Sequence, residues 1–151
     1  MSITDILSPE CVRVPLVARG KLQAIAELVD VLAYAGRLSD RDAVLESVLT
    51  RERTRSTGIG QGLAVPHGKS RGCPTLAMAI GRPVEPIDFD SPDGLPCIAV
   101  VLLASPFDKA GPHIQALASI SRLWLDERFR RAVAEAVDGA ALYGAVDRLG
   151  G

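Results

Sequence analysis

Aromatic residues are scarce: Phe, Tyr and Trp make up 4% of the 151 residues, with a single Trp, so a core must be built from Ala, Val, Leu and Ile. Cysteine is sparse too. Cys11, Cys73 and Cys97 form an odd, scattered set without a CxxC, which is no disulfide framework and reads as three small buried hydrophobes. Only two histidines are present, and neither His67 nor His113 has a Cys or a second His three or four positions away, so no metal site is expected. An excess of one charge is also missing. Basic residues number 17 and acidic residues 18, a net charge of −1, which leaves no electrostatic footprint for nucleic acid or an anionic membrane. No apolar run approaches the roughly 18 residues of a membrane span. Met1-Ser2-Ile3-Thr4-Asp5 lacks the basic start and apolar stretch of a secretory leader, so a cytoplasmic protein without direct membrane insertion is expected.

What is present is a globular composition, 48% hydrophobic and 23% charged. The length suits one domain, expected over residues 1–151. Leu22, Ile25, Ala26, Leu28, Val29, Leu32 and Ala33 share a helical face, and Gly36 offers a C-terminal stop. Ser39-Asp40-Arg41-Asp42 resembles a capping box opening a second helix that runs to about Arg51 or Glu52. Ser56 to Gly62 holds glycines at 58, 60 and 62 and reads as a loop. Leu63-Ala64-Val65, Leu76 to Ile80 and Cys97 to Ala104 read as strands, the last apolar enough to be covered on both faces. Pro83 to Pro96, rich in Pro, Asp and Gly, reads as turn or loop. A further helix starts near Pro112, with Ile114, Leu117, Ala118, Ile120, Ser121 and Leu123 on its apolar face; Asp126 and Asp138 are N-caps for two more. The expected fold is a layered α/β domain with a mixed β-sheet flanked by helices.

Gly62 to Ser70 imitates a phosphate-binding P-loop. Five residues separate Gly62 from Gly68 where four are needed, and Pro66 removes an N–H from a loop that works through its N–H groups. The segment is therefore not expected to bind ATP. No GxSxG marks a serine hydrolase. His67 is the sharper feature. At the end of a short apolar strand, Pro66 fixes the backbone before it and Gly68 permits close approach after it. That context suits either a half-buried histidine hydrogen-bonded in a turn or a rigidly presented nucleophile. A neutral imidazole nitrogen is itself nucleophilic, and the ordinary pKa of about 6.5 leaves most of it neutral at pH 7.

Leu49-Thr50-Arg51-Glu52-Arg53, followed by the continuous segment from Ser56-Thr57-Gly58 through Pro66-His67-Gly68-Lys69, closely resembles the enzyme IIA domain of the bacterial phosphotransferase system. The similarity is to the mannitol/fructose type, which includes the nitrogen-regulatory form, and it covers nearly the whole chain in length and element order. It implies that His67 carries a phosphoryl group, that Arg51 offers its planar fork of donors to the phosphoryl oxygens, and that His113, in His113-Ile114-Gln115-Ala116-Leu117, donates a hydrogen bond to the same oxygens. Without the resemblance, Arg51 is a solvated residue at a helix end and His113 a helix-start residue. Gln61 stands where Asn is frequent and Arg53 where Lys is common, which weakens assignment to a subfamily.

The implied function is that of a phosphocarrier, a phosphotransferase without a cofactor. Phosphate would arrive from HPr, or a nitrogen-branch HPr, and pass to a IIB component or be held as a signal to a regulatory target. A unit of this length resembles the nitrogen-regulatory form more than a segment of a sugar permease. A sugar-specific (fructose or mannitol) component, and a regulatory binding module without transfer activity, stand as the alternatives.

Overall fold

The structure is a computed structural model that describes residues 1–150. Its six strands are β1 (Val12–Leu16), β2 (Gly58–Gly60), β3 (Leu63–Ala64), β4 (His67–Lys69), β5 (Ala77–Pro83) and β6 (Ala99–Ser105). Five α-helices accompany them: α1 (Lys21–Tyr34), α2 (Arg41–Thr54), α3 (Ala110–Leu125), α4 (Glu127–Glu135) and α5 (Gly139–Leu149). The sheet is mixed and open, in the order β1-β5-β6-β3-β2, with β4 also paired to β6. β1 runs parallel to β5, β5 antiparallel to β6, and β3 and β4 parallel to β6. This is the layered α/β arrangement expected from the sequence.

The reason lies in β5 and β6. Every residue of β6, and every residue of β5 except Arg82, is buried, so both faces of the sheet centre must be covered. Helices α1 and α2 pack on each other, and α3, α4 and α5 pack in sequence. The core is largely aliphatic, with Phe89, Trp124 and Phe129 its aromatic members, and Cys11, Cys73 and Cys97 are buried and free. Local signals explain several helix ends. Gly36, at φ +76°, follows α1, and Asp126 and Asp138 accept hydrogen bonds from the backbone N–H groups of Arg128 and Ala141 at 2.9 and 2.8 Å.

Other expectations need correction. The cap of α2 is Asp40, which accepts from the Ala43 N–H, rather than Ser39, and the helix continues to Thr54. Leu22 is exposed, and the buried face of α1 is carried by Ala24, Ile25, Leu28, Val29, Val31 and Leu32. The glycine segment contains β2. A side chain at Gly58 would overlap Ser91, so this glycine serves close approach in extended backbone. The tight turn into β3 then uses Gly60 and Gly62 at φ +99° and +87°, with Gln61 at +54° between them. Helix α3 starts at Ala110 and buries His113, Ala116, Ile120, Leu123 and Trp124, while Ile114 is exposed, so its inner face is rotated from the expected one.

Candidate functional site

His67 opens a strand rather than ending one. Pro66 has no N–H to give to a ladder, so the extended run breaks at Val65-Pro66: β3 pairs with Ala99 and Val100, and β4 resumes beside Leu103, Ala104 and Ser105. The Leu103 N–H donates to the Pro66 carbonyl at 3.0 Å and bridges the break. The His67 ring folds back so that Nδ1 lies 2.8 Å from the Val65 carbonyl oxygen. A carbonyl only accepts, so Nδ1 carries the ring proton. Nε2 is left with its lone pair.

Gly68 sets the next piece. A Cβ there would lie 2.7 Å from Ser47 Oγ and 3.0 Å from the Val48 nitrogen. Glycine alone lets β4 press onto α2, where the Ser47 hydroxyl donates to the Lys69 carbonyl at 2.6 Å. This contact seats the last turn of α2, carrying Arg51, beside His67. Arg51 Nη1 donates to the Arg55 carbonyl at 2.7 Å, which leaves most of its five N–H donors free.

His113 comes from the first turn of α3. Its ring is buried, with its centroid 5.4 Å from that of His67 and the planes at 64°. Its Nδ1 lies 2.5 Å from Ser105 Oγ. The three residues singled out in the sequence are thus brought together. Arg51, His67 and His113, with Ser47, Lys69 and Leu117, line an open cavity of about 390 Å³. Arg51, His67 and Leu117 also line an adjoining hollow of about 460 Å³, walled by the glycine segment from Ser56 to Ile59.

The electrostatics favour an anion. Burial lowers the His67 pKa; the Val65 hydrogen bond opposes this and the Arg51 charge reinforces it. Burial, aided by His67 and Lys69, pushes His113 down to about 4. Both rings are neutral at pH 7, so the standing charges on the smaller cavity are the cations Arg51 and Lys69. Among the described residues no carboxylate lines it.

Sequence reasoning missed three contributors. Lys69 lies two residues beyond His67 on the same strand. Glu52 is buried, accepts from the Thr57 N–H at 3.0 Å and its hydroxyl at 2.5 Å, and has Lys21 Nζ 3.7 Å away. It ties the start of the glycine segment to α2. Its signal was present: Val44, Val48 and Glu52 recur every four residues, which puts a carboxylate on the buried stripe. Ser105, a hydroxyl closing a wholly apolar strand, is the third.

The P-loop imitation is laid out as β3 and β4, with turns and then β5 after Ser70 instead of a helix, so no phosphate-cradling loop forms. Among the described residues no helix is long and apolar enough to cross a membrane, and no three His, Cys, Asp or Glu side chains gather as metal ligands.

Known proteins resemble this chain in sequence and in fold. The family model described as "Phosphoenolpyruvate-dependent sugar phosphotransferase system, EIIA 2" matches residues 5–148. A nitrogen regulatory protein of Bradyrhizobium diazoefficiens is 36% identical over 143 residues, 95% of this chain and 93% of that protein. A fructose-specific EIIABC component of Bacillus subtilis is 37% identical over 136 residues, 90% of this chain but only 21% of that much longer protein. The crystal structure of nitrogen regulatory protein IIA-Ntr from Neisseria meningitidis superposes with a TM-score of 0.83 at 25% identity, covering 95% of this chain and 98% of that one.

Proposed function

The chain belongs to the phosphoenolpyruvate-dependent sugar phosphotransferase system EIIA 2 family, and on that footing we propose that it is a phosphocarrier whose acceptor atom is Nε2 of His67. The observation that carries the proposal is the hydrogen bond from His67 Nδ1 to the Val65 carbonyl, which leaves Nε2 as the ring's free lone pair. The donor is a phosphohistidine on HPr or a nitrogen-branch HPr. As the Nε2–phosphorus bond forms, the donor's nitrogen–phosphorus bond breaks, and the donor imidazole departs with the electron pair. The Nδ1 proton stays on the His67 ring. Its Val65 partner stabilises the positive charge the ring gains.

Phosphoryl transfer needs little covalent help, so positioning and charge stabilisation dominate. Arg51 receives the phosphoryl oxygens on its free N–H donors, Lys69 adds field, and His113 donates to the same oxygens. The acceptor of the next step is a IIB component, or the phosphorylated form itself is the signal to a regulatory target. We favour the nitrogen-regulatory role on the 36% identity to a nitrogen regulatory protein; a fructose-specific EIIA component, 34% identical over 139 residues, supports the sugar-specific role as the second reading. In this role the chain works in the cytoplasm.

The test is incubation with phosphoenolpyruvate, enzyme I and HPr. An acid-labile, alkali-stable adduct is expected, absent from His67→Ala. Labelling that persists in that variant would remove His67 from the role.

A further inference from the structure

Ser105 ends β6, wholly buried, and its hydroxyl has no hydrogen-bond partner among the described residues other than Nδ1 of His113, a residue that lines the smaller cavity. Two arrangements of that contact are chemically distinct. If Nδ1 donates to Ser105 Oγ, the serine proton has no acceptor, a buried donor is left unpaired, and His113 turns a bare Nε2 lone pair toward incoming phosphoryl oxygens. If Ser105 donates to Nδ1, the hydroxyl is satisfied and Nε2 carries the proton. The second arrangement avoids both costs.

We propose that Ser105 is a positioning residue that fixes His113 as the Nε2–H tautomer, so that His113 can donate toward a phosphoryl group on His67 but cannot accept. This rests on the reading of His67 as the phosphoryl acceptor. The two rings, 5.4 Å apart, are then held in opposite tautomers by opposite partners. A carbonyl forces the proton onto Nδ1 of His67, and a hydroxyl forces it off Nδ1 of His113. One ring presents a lone pair to the cavity and the other presents a proton.

Long-range ¹⁵N–¹H correlation spectra of the unphosphorylated chain at pH 7 test this directly, with the rings assigned through His113→Gln. The expected pattern is a protonated Nε2 and bare Nδ1 on His113, the reverse of His67. A protonated Nδ1 on wild-type His113 overturns the role of Ser105. Ser105→Ala should release His113 into a mixture of tautomers and slow phosphoryl acceptance about tenfold, the equivalent of one hydrogen bond. Ser105→Thr, which keeps the hydroxyl, should restore the tautomer and the rate together. An unchanged His113 tautomer in Ser105→Ala overturns the proposal as well. The spectra need no phosphoryl donor, so they fail or succeed separately from the reading of His67, which the wild-type transfer assay decides.

Discussion

His67 and Val65 are linked by a 2.8 Å hydrogen bond from the imidazole Nδ1 to a backbone carbonyl two residues upstream. The bond is local and depends on no side chain but the histidine's own. Pro66, between the two, directs the chain so that the ring folds back on it. Tautomer, ring orientation and the exposure of Nε2 are thereby set before any partner arrives, and the groups around the ring have a fixed target.

Arg51 and His113 surround that target from α2 and α3. Arg51→Ala and His113→Ala should fold and should slow phosphoryl acceptance by roughly 10²–10³, the usual cost of removing one preorganised donor. Single-turnover transfer from phosphorylated HPr measures it. Wild-type rates in both variants would make them bystanders.

Gly68 is a spacing device. In Gly68→Ala the new methyl meets Ser47 Oγ at 2.7 Å and the Val48 backbone at 3.0 Å, so α2 must move away from β4. Overpacking of this kind costs about 1–3 kcal/mol, and Arg51 should lose its station as well. Denaturant titration should show the destabilisation, and the transfer assay should show slower phosphorylation. Ser47→Ala cannot rescue it fully, because the backbone contact remains. Wild-type stability and rate in Gly68→Ala would show that Gly68 does not set the spacing of α2 and β4.

How far these pieces could be read from the chain depended on how local their signals are. The segment from Ser56 to His67 stood out because many residues with distinct roles follow one another without a gap, although β2 within it and the start of β4 at His67 were not read; Asp126 and Asp138 were legible because a cap is a matter of three residues. β6 announced itself as an apolar run. β1 did not: only its end residues are buried, and Pro15 interrupts it at the sheet edge. The inner face of α3 was misjudged because its leading buried residue is His113, a polar side chain excused from apolar counting. Glu52 and Ser105 escaped for the same reason. Each is buried because a partner satisfies it, Thr57 for Glu52 and His113 for Ser105, and although periodicity placed Glu52 on the buried stripe it does not record the partner.

Titration supplies a test that needs no partner protein. His113 has an ordinary pKa of 6.5 when unfolded and about 4 in the fold, and His67 is shifted in the same direction. A lowered folded pKa means that the unfolded chain binds protons more readily. The stability contributed by the neutral rings is therefore complete above pH 6.5 and is lost as the pH falls toward 4. Denaturation midpoints between pH 7 and 4.5 should decline more steeply in the wild type than in His113→Gln. Equal slopes would show that His113 is not held neutral by the fold.

Whether Nε2 of His67 takes the phosphoryl group is decided by ³¹P and ¹⁵N spectra of the protein phosphorylated through HPr. One phosphohistidine is expected, with a phosphorus–nitrogen coupling to Nε2 of His67 and the proton still on Nδ1 against Val65. A phosphoryl group on Nδ1 of His67, or on His113, would contradict it.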